Sequence, residues 1–122
     1  MANSNLTVVL GASPNTERYS NLAVKQLRQH GHSVVAIGVK EGKIGDVDII
    51  REHPPLQDVE TVTLYLNPQR QPEYYNYILS LKPKRIIFNP GTENDELESL
   101  ASANSIESIE ACTLVMLSTG QY

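Results

Sequence analysis

Tryptophan is absent, phenylalanine occurs once, and Cys112 is the single cysteine. A lone cysteine closes no internal disulfide, and three histidines at helix ends and loops form no metal-ligand spacing. Long apolar runs are missing too: nothing approaches the roughly 20 residues of a membrane span. Met1-Ala2-Asn3-Ser4-Asn5 puts no basic segment ahead of an apolar stretch, so no secretory leader and a cytoplasmic setting are expected. Basic charge is in short supply. Ten Lys and Arg against fourteen Asp and Glu leave a net charge of −4, which argues against broad binding to nucleic acid or anionic membrane. No repeat, linker or low-complexity stretch divides the 122 residues, so one domain over 1–122 is expected.

What the chain does have is alternation of short β-branched runs with helical patterns. Leu6-Thr7-Val8-Val9-Leu10 reads as a strand buried on both faces. A helix follows from about residue 21 to 30, with Ser20 as its cap and Gly31 as its stop. Residues 33–37 make a second strand, and 43–50 fit two short extended pieces around a turn. Strands over 61–66, 85–88 and 105–110, helices over 71–81 and 95–103, and a last short helix or turn over 113–117 complete the reading. The pattern predicts an α/β fold: an open doubly wound parallel sheet of about five strands, order 3-2-1-4-5, with helices on both faces. Such sheets take ligands at the carboxyl ends of their strands.

The loop after the first strand is therefore the most informative feature. Gly11 lacks a Cβ and permits a tight turn and close approach, Ala12 is small, and Ser13 offers a hydroxyl. Ser20 and Asn21 meet a helix start, where free N–H groups and the dipole favour an anion. These residues can cradle a diphosphate, or they can simply connect strand to helix. The pattern is neither G-x-G-x-x-G, since no second or third glycine follows, nor a Walker loop. Lys40, just past the second strand, suits a phosphorylated ribose, whereas a dinucleotide fold usually places an acid there. Glu41 keeps that second option open. Arg18 and Arg70 fall in loops at the binding edge. Asn67-Pro68 and Asn89-Pro90-Gly91 shape the walls or merely end strands. Tyr74, Tyr75 and Tyr77 read as a helix face, and the acids around Asp95 suit the helix dipole. No catalytic set is recognisable from spacing.

Val8-Val9-Leu10-Gly11-Ala12-Ser13-Pro14-Asn15 with Arg18-Tyr19-Ser20-Asn21 resembles the opening of the small CoA-binding domain proteins. These share a Rossmann-like domain with the alpha subunit of succinyl-CoA ligase and with NDP-forming acyl-CoA synthetases. Leu66-Asn67-Pro68 and Asn89-Pro90-Gly91-Thr92-Glu93-Asn94 match later turns, and Cys112 falls where many members carry a cysteine. The resemblance implies a CoA diphosphate over Gly11, Ala12, Ser13, Ser20 and Asn21, and a 3′-phosphoadenosine near Lys40. It also implies a pantetheine arm running towards Asn67, Pro68 and Gly91. Gly38-Val39 stands where the family has Asn-Pro, and the tail over 113–117 is apolar, which leaves a homodimer open. The expectation is a non-catalytic binder of coenzyme A or an acyl-CoA, acting as carrier or sensor. Two alternatives stand beside it: a nucleotide-binding subunit of an acyl-CoA ligase, and an interaction protein that keeps the fold without the ligand.

Overall fold

In the computed structural model the described residues are 6–122, and the leader expectation for residues 1–5 falls outside them. Seven strands form one sheet: β1 (Leu6–Leu10), β2 (Ser33–Ile37), β3 (Gly42–Ile44), β4 (Val47–Ile50), β5 (Val59–Leu64), β6 (Arg85–Phe88) and β7 (Glu107–Glu110). Four α-helices join them: α1 (Tyr19–Gln29), α2 (Tyr75–Leu81), α3 (Asp95–Ala103) and α4 (Thr113–Ser118). Among the described residues no helix is long and apolar enough to cross a membrane.

The spatial order is β3-β4-β2-β1-β5-β6-β7, which corrects the expected five strands in order 3-2-1-4-5. The reason lies in residues 42–50. Gly45 turns the chain at a φ of +60°, so β3 and β4 pair antiparallel, and β4 then runs parallel to β2 through Ala36–Ile49 and Ile37–Ile50. That hairpin occupies the outer side of β2. The chain crosses back, and β5 pairs with the opposite side of β1, Val8 facing Val62 and Leu10 facing Leu64. All pairings other than the β3–β4 hairpin are parallel.

Alternation along each strand feeds two separate cores. Val8 and Leu10 point into the layer under α2 and α3, with Leu64, Ile78, Phe88 and Leu97. Val9 points the other way, among Val24 and Leu27 of α1 and Leu117 of α4. The apolar tail therefore packs against α1, with Met116 and Leu117 buried and only Val115 strongly exposed. β1, β2, β6 and α3 match their expected spans. Other elements differ in extent. β5 starts two residues earlier than expected, β7 starts at Glu107, and the 71–81 helix is two 3-10 turns leading into a shorter α2. Pro68 and Pro72 each sit in the first positions of a 3-10 turn, where their missing N–H costs nothing.

Where α3 meets β7, Glu98 shares a hydrogen bond with Glu110. That bond, burial, and repulsion from Glu110, Asp95 and Glu93 push its carboxyl up to about 7. The folded state thus favours the protonated acid. Its stabilising contribution is complete below about pH 4.5 and is lost as pH rises through about 7. Glu98→Gln keeps the shape and drops the charge. It should raise the unfolding free energy read from urea titration at pH 8 by roughly 1 kcal/mol or less after solvent screening, and leave it little changed at pH 4. A mutant whose midpoint falls in parallel with the parent between these pH values would contradict this account.

Candidate functional site

The carboxyl ends of β1, β2, β5 and β6 open onto one cleft of about 470 Å³. It lies where the sheet reverses winding, since the connections leaving β1 and β5 go to opposite faces, and it sits where open α/β sheets bind ligands.

Two glycines set its floor by backbone contact. Gly11 has a φ of +94°, and a Cβ there would lie 2.9 Å from the Tyr65 carbonyl. Gly38 is under a harder constraint: its Cβ would fall 2.1 Å from the Ala12 carbonyl oxygen. The loop is tied down from the same direction, because Ile37 O accepts from Gly11 N at 2.9 Å and from Ala12 N at 3.0 Å. Farther along, Pro14 lies over Gly42, where a Cβ would meet it at 2.8 Å. The departure at position 38 from the family's asparagine thus has a cause in this chain: no side chain fits.

The rest of the loop is held by short polar contacts. Ser13 Oγ accepts from Asn15 N at 3.1 Å, and Asn15 Oδ1 accepts from Glu17 N at 2.9 Å. Helix α1 then starts one residue before Ser20, with Arg18 as an extended N-cap whose side chain caps nothing. The expected capping role of Ser20 is therefore corrected. Ser20 lies inside the first turn, buried, with its surface on the cleft. Asn21 and Leu22 N–H both bond Arg18 O, so the N–H groups of Tyr19 and Ser20 are the ones left facing outward, with no acceptor among the described residues.

Eight of the ten expected binding residues line the cleft: Gly11, Ala12, Ser13, Arg18, Ser20, Lys40, Asn67 and Gly91. Asn21 and Pro68 do not. Asn21 is 1% exposed and turns its amide inward to donate to Ser13 O at 3.0 Å, so it positions the loop from behind. Pro68 opens the 3-10 turn that Asn67 caps. The cleft also takes in Gly38, Val39, Tyr65, Tyr74, Arg70 and Thr92. Of these, sequence spacing pointed only to Arg70, through its place in an edge loop.

A buried polar frame fixes the far wall. Gln71 is fully buried, and its Nε2 donates to Leu66 O at 2.9 Å and to Thr92 O at 2.8 Å, stapling the loop after β5 to the loop after β6. Its Oε1 accepts from Asn94 Nδ2 at 2.9 Å, and Asn94 Oδ1 caps α3. Asn89 serves as a second hub. It donates to Thr63 Oγ1 and Leu64 O, and its Oδ1 accepts from Thr113 N at 2.8 Å. The Tyr65 hydroxyl is buried beside this hub, and burial pushes its ionisation far up, keeping it neutral.

Electrostatically the cleft opposes the protein around it. Arg18, Lys40 and Arg70 line it, and no Asp, Glu, His or Cys does. Among the described residues none of the three cations is in an ion pair; the pairs present are Arg28–Asp46 and Lys43–Asp48, away from the cleft. Two exposed apolar side chains, Tyr19 and Val39, stand at the mouth.

Fold and cleft together define an open α/β protein with a cationic crevice at its switch point. A family model described as CoA binding domain matches residues 5–118, and the chain belongs to that family. An uncharacterized protein of known crystal structure is 54% identical, covers 99% of this chain and 100% of its own, and superposes with a TM-score of 0.95. More distant structures share the fold. A protein from Thermus thermophilus is 16% identical over 96% of this chain and 90% of its own, TM-score 0.84. A hypothetical protein from Pyrococcus horikoshii is 24% identical over 95% and 82%, TM-score 0.79. No curated protein matches the chain.

Three substitutions test the frame. Gly38→Ala drives a methyl into the Ala12 carbonyl and should cost about 3 kcal/mol in urea unfolding. Gly91→Ala meets no neighbour and strains only its φ of +91°, so about 1 kcal/mol is expected there. Gln71→Ala leaves two buried carbonyls without their donor and takes from the Asn94 amide one of its two acceptors, and should cost about 2 kcal/mol or more. An unfolding midpoint unchanged by Gly38→Ala would remove the backbone contact from the account.

Proposed function

We propose that this chain binds coenzyme A or an acyl-CoA in the cleft at the carboxyl ends of β1, β2, β5 and β6, and acts as a carrier or sensor without transforming its ligand. One observation carries the reading: three cations with no ion pair among the described residues, and no carboxylate, line the cleft of a protein whose net charge is −4. Such a lining selects a polyanion, and the uncapped start of α1 offers it N–H groups beside Gly11 and Ser13. In this reading the diphosphate lies over the Gly11–Ser13 loop and the Tyr19–Ser20 N–H groups, within reach of Arg18. The 3′-phosphate meets Lys40, and the adenine rests against Tyr19 and Val39. The pantetheine arm follows the wall that Gln71 fixes, past Asn67 and Gly91.

No Cys, His, Asp or Glu lines the cleft, so its serine and threonine hydroxyls have no carboxylate or imidazole base among the lining residues, which supports a binding role over catalysis. The alternative of an interaction protein without ligand asks for a filled pocket. Val39 instead stands 60% exposed at the rim, and the apolar tail packs under α1.

Thermal unfolding with CoA, dephospho-CoA and NAD tests the proposal. CoA at a hundred times its Kd should add about 2.7 kcal/mol, a rise of roughly 10 °C in Tm. Dephospho-CoA should give a smaller rise, and Lys40→Ala should bring CoA down to the dephospho-CoA level. No response to millimolar CoA would sink the proposal, and an equal response to both CoA forms would remove Lys40 from it.

A further inference from the structure

Arg70 is held differently from the other two cations of the cleft. Its backbone N–H donates to both Asn67 O (3.0 Å) and Asn67 Oδ1 (3.1 Å), so the Asn67 side chain caps the turn that carries it. The next residue is the fully buried Gln71, pinned to Leu66 and Thr92. The stem of Arg70 is therefore fixed on both sides, while its side chain is exposed on the cleft. The acid nearest in the facing loop is already engaged, since Glu93 Oε1 accepts from Gly91 N at 2.9 Å. No ion pair holds the Arg70 guanidinium among the described residues.

Its position along the sheet matters as much. Lys40 follows β2 and Arg18 leads into α1, which connects β1 to β2, whereas Arg70 follows β5 on the other side of β1. Strands are spaced about 4.8 Å apart, so the β2 and β5 ends lie roughly 10 Å from each other. In the reading above the α1 start and Arg18 take the diphosphate and Lys40 the 3′-phosphate, which leaves the guanidinium on the β5 side with no assigned group. It faces the end of the cleft where the pantetheine arm and anything joined to its sulfur would lie. That end also gives an apolar acyl chain little to bury against: Leu66 and Tyr74 are each only 5% exposed and close the floor.

Building on the CoA reading above, we infer that Arg70 reads a negative charge at the acyl end of the ligand. The cleft then prefers an acyl thioester ending in a carboxylate to one ending in a methyl group. A guanidinium matches a carboxylate bidentately, a geometry that lysine cannot reproduce.

Malonyl-CoA and propionyl-CoA differ at one place, a carboxylate against a methyl, and free CoA lacks both. Calorimetric titration of the full chain with all three is expected to show malonyl-CoA binding about tenfold or more tighter than propionyl-CoA. Arg70→Gln should erase that difference, weakening malonyl-CoA about tenfold more than propionyl-CoA or free CoA, while Arg70→Lys should keep only part of the preference. Equal affinity for malonyl-CoA and propionyl-CoA in the unmodified chain overturns the inference while leaving CoA binding intact. So does an Arg70→Gln chain that loses affinity for all three ligands by one common factor, because Arg70 would then be a phosphate ligand. If none of the three binds the unmodified chain, the CoA reading itself fails and this inference with it.

Discussion

Gly38 lies so close to Ala12 that the carbonyl oxygen of one occupies the space where the other would carry a Cβ. The β1–α1 loop can leave the sheet along this path only because two glycines remove side chains from it: Gly38 under the loop and Gly11 against the Tyr65 backbone. Bulk at either point would push the loop up into the cleft and turn the start of α1 away from it. The bonds from Gly11 and Ala12 to Ile37 O hold the loop on the same side. The anion-facing end of α1 and the depth of the crevice both follow from backbone packed on backbone. A glycine there is a requirement of space first; the left-handed φ of Gly11 adds a requirement of torsion.

On the opposite wall the constraint is polar and equally local. Gln71 and Asn89 are buried amides whose donors and acceptors are matched to named carbonyls, hydroxyls and N–H groups. A buried amide left unmatched would cost more than the bonds it makes are worth, so each hub selects one arrangement of its loops. The two walls therefore differ in kind. One is rigid because no space is left, the other because alternatives would strand buried polar groups.

Much of this was legible in the sequence, and what was not has identifiable reasons. β1, β2, β6 and α3 were readable because apolar runs or a capped amphipathic pattern bounded them, Asn94 capping α3 through bonds to Glu96 N and Leu97 N. The place of β5 was not readable. Val59–Leu64 is apolar enough to pair on either side of β1, and the deciding element, the 42–50 hairpin, is short and half polar, with Lys43, Asp46 and Asp48 on its exposed side. Ser20 and Asn21 were misplaced for a related reason. Serine before an apolar stripe is the usual sign of a cap, but the Asn15 turn starts the helix earlier and carries Ser20 into its first turn. Tyr74 and Thr92 reach the cleft from a helix entrance and a turn, where sequence shows a face or a bend but not which strand end lies opposite. Gly38 was visible as a departure from the family pattern, yet its meaning depends on Ala12, a residue 26 positions earlier.

The charge distribution sets the cleft apart from the rest of the protein. Up to Arg85 the chain carries ten basic and eight acidic residues; beyond it there are six acidic residues and no basic one. The acids of that second stretch gather on α3, β7 and their approaches, crowded enough to push the Glu98 carboxyl up to about 7. The cations of the cleft come from three connections in the first stretch, after β1, β2 and β5. An approaching polyanion thus meets repulsion from the α3 and β7 side and attraction at the switch point. On the proposed reading, the same asymmetry disfavours anions elsewhere on the surface and favours them at the cleft. Three cations held on three separate connections can also distinguish ligands by where their charges sit, and that depends on the walls keeping those connections a fixed distance apart. Gly38 and Gln71 thereby bear on the cleft's charge geometry: each fixes the spacing of cations that neither carries.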